Sequence, residues 1–138
     1  MVTQTAEHPA RIAARRSMIG AETKNREAWL AAYADDACIE DPVGPSWLDP
    51  TGAGHRGRAA LEAFYDATIA TTEAIHFEIV DSFAAGNEVA NVGTIHITLP
   101  DGKVARCEGV FVYAVNPDGL ISSLRAFWET DRMMATIG

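Results

Sequence analysis

The chain has 138 residues, a length for one domain with a single sizeable core. Its 48% apolar and 22% charged residues exclude a disordered chain, a collagen-like one and a disulfide-rich mini-scaffold. The formal charge of -8, from 11 Lys and Arg against 19 Asp and Glu, leaves no basic footprint for nucleic acid and fits poorly with an anionic membrane.

Cys38 and Cys107 have no CxxC or other metal-ligand spacing, so they read as buried reduced thiols and no metal site is expected. The longest apolar runs, Ala28 to Ala34 and Gly109 to Val115, fall far short of the roughly 20 residues of a membrane span. Met1 to Pro9 lacks the basic and apolar regions of a signal peptide. The expectation is a cytoplasmic protein with no nucleic-acid and no membrane partner.

In chain order, Ala10, Ala13, Ala14, Ser17, Met18 and Ala21 recur at helical spacing and predict a first helix. Asn25 caps a second, with Glu27 in its first turn and Trp29, Leu30 and Tyr33 on its apolar side; Asp35-Asp36 ends it. Cys38 to Asp41 reads as a short strand stopped by Pro42 and Gly44. Residues 42–57, with Pro42, Pro45, Pro50, Gly44, Gly52, Gly54 and Gly57, read as a loop. A third helix runs from Arg58 to about Ala70, with Leu61, Phe64, Tyr65 and Ile69 apolar. Strands follow at His76–Phe83, Glu88–Leu99, Lys103–Val115 and Leu120–Trp128. Their turns are Ala85-Gly86-Asn87, Asp101-Gly102 and Asn116-Pro117-Asp118-Gly119. Three helices and a four-stranded antiparallel meander make one α+β domain over 1–138, with the helices on one face of a curved sheet.

The strands read as apolar on both faces, where a half-wet sheet would alternate cleanly. Helices cover only one, so the other is expected to pack on a second copy in a homodimer, through Ile95, Ile97, Val110 and Val112. The face with Thr94 and His96 is the more polar and reads as the lining of a cavity.

There is no Gly-rich phosphate loop, HExxH or GxSxG, and Ser17, His8, His55, His76 and His96 form no recognisable triad. What remains is the segment from Tyr33 to Gly44. An acidic residue ending a strand before Pro-x-Gly sits on a rigid elbow. Facing an apolar interior, its carboxylate would have a raised pKa and gain strength as a base. Alternation puts Glu40 and Asp41 on opposite faces, and spacing does not say which points inward. A solvated turn carboxylate is the plain alternative.

Tyr-Ala-Asp-Asp-Ala, then Glu-Asp-Pro-x-Gly, Gly57-Arg58, Ala63-Phe64-Tyr65 and finally Phe127-Trp128-Glu129 resemble the bacterial ketosteroid isomerases over nearly the whole chain. These belong to the cone-shaped NTF2-like (SnoaL-like) superfamily. The resemblance implies a steroid Δ-isomerase with a hydrophobic, steroid-like ligand, a single carboxylate proton shuttle, an oxyanion hole and no cofactor. It assigns the shuttle to Asp41. It also places Ser17 at the family's donor tyrosine and Phe111 at its protonated aspartic acid, so both usual donors are absent. Tyr33 and Tyr65 match the tyrosines that support the donor, which makes Tyr65 the first substitute; His96, sharing the expected inner face with Thr94, is the second. Trp128 matches a pocket-lining tryptophan, with Phe111 beside it and Phe64 as a further wall. Met18, Val92 and Leu124 are other possible walls. Trp47, on a loop longer than in the best-known relatives, is placed to cover the pocket mouth. The competing readings are a non-catalytic binder of steroid-like ligands and, third, an epoxide hydrolase of the same superfamily. The latter needs an Asp-Arg-Asp set, for which Arg106 and Arg125 offer no matching spacing.

Overall fold

A histidine cap and a proline in the first turn start helix α1 (Pro9–Glu22), where His8 Nδ1 accepts from Ala10 N at 3.0 Å. The structure, a computed structural model, describes residues 7–138. The stripe that α1 buries is built of small residues, among them Ala10, Ala13, Ala14 and Ser17. Helix α2 (Arg26–Ala31) is capped by the Asn25 side chain, as expected. It ends earlier than Asp35-Asp36 suggests. Strand β1 (Tyr33–Glu40) begins at Tyr33, because Ile121 N bonds to Ala32 O at 2.9 Å and Tyr33 then pairs beside Ile121. A short helix yields to long-range pairing, and Asp35 and Asp36 are left exposed at a register shift.

The loop after β1 holds a short strand, β2 (His55–Arg56), antiparallel to β1. Helix α3 (Arg58–Ala67) stops at Thr68, whose hydroxyl donates to Phe64 O at 2.6 Å, and a 3-10 turn follows at Ile69–Thr71. Then come β3 (Ala74–Ala85), β4 (Glu88–Thr98), β5 (Val104–Val115), β6 (Ile121–Phe127) and a short helix α4 (Thr130–Met134) not expected from the sequence. The strand order is β2-β1-β6-β5-β4-β3. The four-stranded meander is present, and β1 extends it by pairing parallel to β6. The α+β class holds, with a mixed, mostly antiparallel sheet.

Gly93 and Gly109 stand opposite each other on β4 and β5. A Cβ on Gly93 would lie 2.1 Å from Glu78 O, and one on Gly109 would lie 2.1 Å from Phe127 O. Backbones from both neighbouring strands crowd this line, so only residues without a side chain fit. It coincides with the bulge between Ile79 and Asp81 on β3.

The core lies between helices and sheet, with Ile39, Leu61, Val89 and Ile121 fully enclosed. The assignment of faces needs correction. Ile95 and Ile97 join Phe111 and Tyr113 in lining the interior, whereas Thr94 shares the outer face with Val92 and Val110. Ile95 stands opposite Cys107 and Val92 opposite Val110, so Val110 and Val112 face away from Ile95. The expected interface set of Ile95, Ile97, Val110 and Val112 therefore mixes two faces. Polarity misleads here because the cavity face is the more apolar one, and register decides the side.

Candidate active site

Strand β1 delivers two carboxylates to opposite sides of the sheet. Glu40 turns outward and accepts from Arg125 Nε at 2.8 Å. Asp41, at the following elbow, turns inward, where its Oδ1 accepts from Trp128 Nε1 at 2.6 Å. The two backbones are tied together just beyond, by Val43 N to Ala126 O at 2.9 Å. The base position is thus set by the first and last strands jointly.

Asp41 lines a cavity of about 160 Å³ under α1 and α3. Ser17, Tyr33, Phe64, Phe111 and Trp128 line the same space. Trp47 closes one side, exposed and edge-on to Trp128 with ring centroids 6.3 Å apart. Leu124 is also in the wall, while Met18 and Val92 lie outside it. A larger hollow of about 780 Å³ lies on the outer sheet face; Asp41 does not reach it. Burial raises the Asp41 pKa above 3.8, and the Trp128 hydrogen bond and the nearby His55 hold back part of the rise. The result is a base kept in an apolar space.

Three expected site residues are elsewhere. His96 and Thr94 are on the outer face, where His96 Nε2 meets Glu78 Oε1 at 2.8 Å. Tyr65 is buried against Trp29, with centroids 5.4 Å apart, and it answers to Arg26 and Asp66 rather than to Asp41. Consecutive residues on a helix point about 100° apart. On α3 Phe64 takes the cavity side, and Tyr65 cannot also do so.

Tyr113 is the residue that sequence reasoning passed over. It is 3% exposed and lines the cavity two residues along β5 from Phe111. Period-two alternation puts both on one face, so naming Phe111 as a wall already carried Tyr113 with it. Burial raises the Tyr113 pKa first, and the Asp41 charge raises it further, while a hydrogen bond from Ser17 offsets part of this. Ser17 Oγ is also 2.7 Å from the Tyr33 hydroxyl. Burial likewise lifts the Tyr33 pKa well above its ordinary value. Cys107 stands in the same wall, its thiol pushed up by burial and then by Asp41. No sequence signal marked Cys107 or His55, because both depend on strand pairing for their place.

The arrangement supplies one desolvated carboxylate, an apolar chamber and a group of neutral hydroxyls. Among the described residues of its lining, Asp41 is the one carboxylate and no arginine is present. Such a site suits proton transfer at carbon beside a carbonyl.

The chain is similar to several known proteins. The family model described as "SnoaL-like domain" matches residues 14–124. A "Steroid Delta-isomerase" of Nocardioides simplex is 34% identical over 113 residues, 79% of this chain and 80% of that protein. The crystal structure of RV0760c from Mycobacterium tuberculosis superposes with a TM-score of 0.90 at 37% identity, over 98% of this chain and 100% of the other. It is also known in complex with estradiol-17beta-hemisuccinate, with a TM-score of 0.83 at 37% identity, over 91% of this chain and 97% of the other. The Delta 5-3-ketosteroid isomerase from Mycobacterium sp. gives a TM-score of 0.86 at 36% identity, over 96% and 98% of the two chains.

Proposed function

The chain belongs to the SnoaL-like family, and on that premise we propose that it is a steroid Δ-isomerase that moves a double bond of a 3-oxo steroid from the β,γ to the α,β position. The observation that carries this reading is the Asp41 carboxylate, desolvated in an apolar cavity and held by the Trp128 N–H. Ionised Asp41 removes a proton from the carbon between carbonyl and alkene. The C–H pair moves into the ring system, and the carbonyl oxygen takes the negative charge as a dienolate. The protonated Asp41 then gives the proton to the γ carbon, and the electrons return to restore the carbonyl. Base and acid are one group in two states, so nothing is consumed. The apolar walls keep water from competing for the proton.

A second reading, a protein that binds such a ketone without turnover, draws support from Ser17 and Phe111 in place of the usual donors. The epoxide hydrolase reading loses ground, since the cavity offers no Asp-Arg-Asp set. The proposal includes a homodimer through the outer sheet face, where Val80 and Phe127 are 71% and 45% exposed beside Val92 and Val110.

Incubation with a β,γ-unsaturated 3-ketosteroid tests the function directly. Isomerisation appears as growth of the ultraviolet band of the conjugated enone. Tight binding of the steroid with no growth of that band would select the second reading.

A further inference from the structure

A dienolate oxygen in an apolar chamber is prohibitively unstable without a hydrogen-bond donor. The isomerase reading therefore requires one, and most of the donors that reach the cavity are engaged. The Trp128 N–H is committed to Asp41. The hydroxyls of Thr68 and Thr72 donate to their own helical turns, at Phe64 O and Ile69 O. Trp47 stands at the exposed side. Tyr33 is joined to Ser17 at 2.7 Å and packed on Trp29 at a centroid distance of 4.7 Å.

We propose that Tyr113 donates the hydrogen bond to the substrate's carbonyl oxygen as it becomes the dienolate, and that Ser17 is the positioning residue that ties Tyr113 to Tyr33. This rests on the isomerase reading and gives it the donor it lacks. Tyr113 is buried, on the cavity face of β5, in the space shared by Asp41 and Ser17. In the proposed arrangement the Tyr33 O–H donates to Ser17 Oγ, 2.7 Å away, the Ser17 O–H turns to the Tyr113 oxygen, and the Tyr113 O–H to the ligand. Each bond polarises the next, which strengthens the last donor. A phenol is protonated at neutral pH and burial pushes the Tyr113 pKa further up, so its O–H is available to donate. Serine at position 17 also fits this arrangement. Its small hydroxyl reaches the Tyr33 phenol at 2.7 Å and lines the same cavity as Tyr113, leaving room that a third ring would take.

The test compares Tyr113→Phe, Ser17→Ala and Tyr65→Phe with the unmodified protein, by steady-state isomerisation and by binding of estradiol and its 3-deoxy analogue. Estradiol carries its phenolic oxygen at the ring position at which the dienolate of a 3-oxo steroid carries its own. We expect Tyr113→Phe to lower kcat by about 10²-fold or more with KM changed little, the usual effect of losing one oxyanion donor. It should weaken estradiol by about tenfold, one hydrogen bond's worth, and leave the 3-deoxy analogue unaffected. Ser17→Ala should give the same pattern at smaller size, which keeps the proposal testable if Tyr113→Phe folds poorly. Undiminished kcat and estradiol affinity in both variants would overturn the proposal, as would a loss confined to Tyr65→Phe. Should the unmodified protein bind steroids but not isomerise them, the isomerase reading fails by itself. The estradiol and 3-deoxy pair then decides whether Tyr113 is the donor to the ligand oxygen.

Discussion

Asp41 has to be ionised to act as a base, yet its surroundings favour the neutral acid. Because its pKa is above 3.8 in the folded protein, the native state binds this proton more tightly than the unfolded chain does. The stabilisation so gained is complete at pH below 3.8 and is lost as pH rises through the raised value. Above the raised value, the ionised Asp41 therefore opposes folding. Asp41→Asn should abolish isomerisation, by at least about 10³-fold, since the amide keeps the shape and an acceptor for Trp128 but takes no proton. Thermal melts should find the same variant more stable than the unmodified protein at pH 7, with the difference shrinking towards pH 4. The Trp128 N–H works in the opposite sense, favouring the charged carboxylate. Trp128→Phe should shift the acidic limb of the pH–rate profile upward, because the base then needs a higher pH to ionise. At this scale the sequence was informative about Asp41, whereas the donors it offered, Tyr65 and His96, are not in the cavity lining. The Pro-x-Gly elbow is local, whereas the setting of Tyr113 depends on three strands and a helix meeting.

Elements were legible where their signals are local. The Asn25 cap, the Asp101-Gly102 turn and the alternation of the meander all lie within a few residues of what they specify. The start of β1 was not, because Tyr33 is held extended by Ile121, which lies 88 positions away in a segment with its own turn signals. Helix α4 carries too few residues for a period to register. Facing glycines on adjacent strands form a different class of signal, since they mark where neighbouring backbone leaves no room for a side chain. Gly93→Ala should lower stability by about 1–3 kcal/mol or more, as an added methyl is forced onto Glu78 O. Denaturant melts at unchanged slope would measure it. Gly86→Ala is the control for added bulk, since nothing lies within 4 Å of that position, although its φ of 59° carries its own modest strain.

At the level of the whole molecule, the outer sheet face sets the predicted assembly. Light scattering at micromolar concentration should return twice the chain mass, and Val110→Glu should return the monomer, because a carboxylate in the middle of an apolar contact would be buried unpaired. A monomer mass for the unmodified chain would count against the dimer. The parallel pairing of β1 with β6 has a further consequence, for biosynthesis. Asp41 and Trp128 are 87 positions apart, and the meander must be complete before they can meet. A chain still growing on the ribosome carries Asp41 well before the strand that positions it. The Asp41–Trp128 contact waits until β6 emerges and docks, so a segment made later completes a site that an earlier one began.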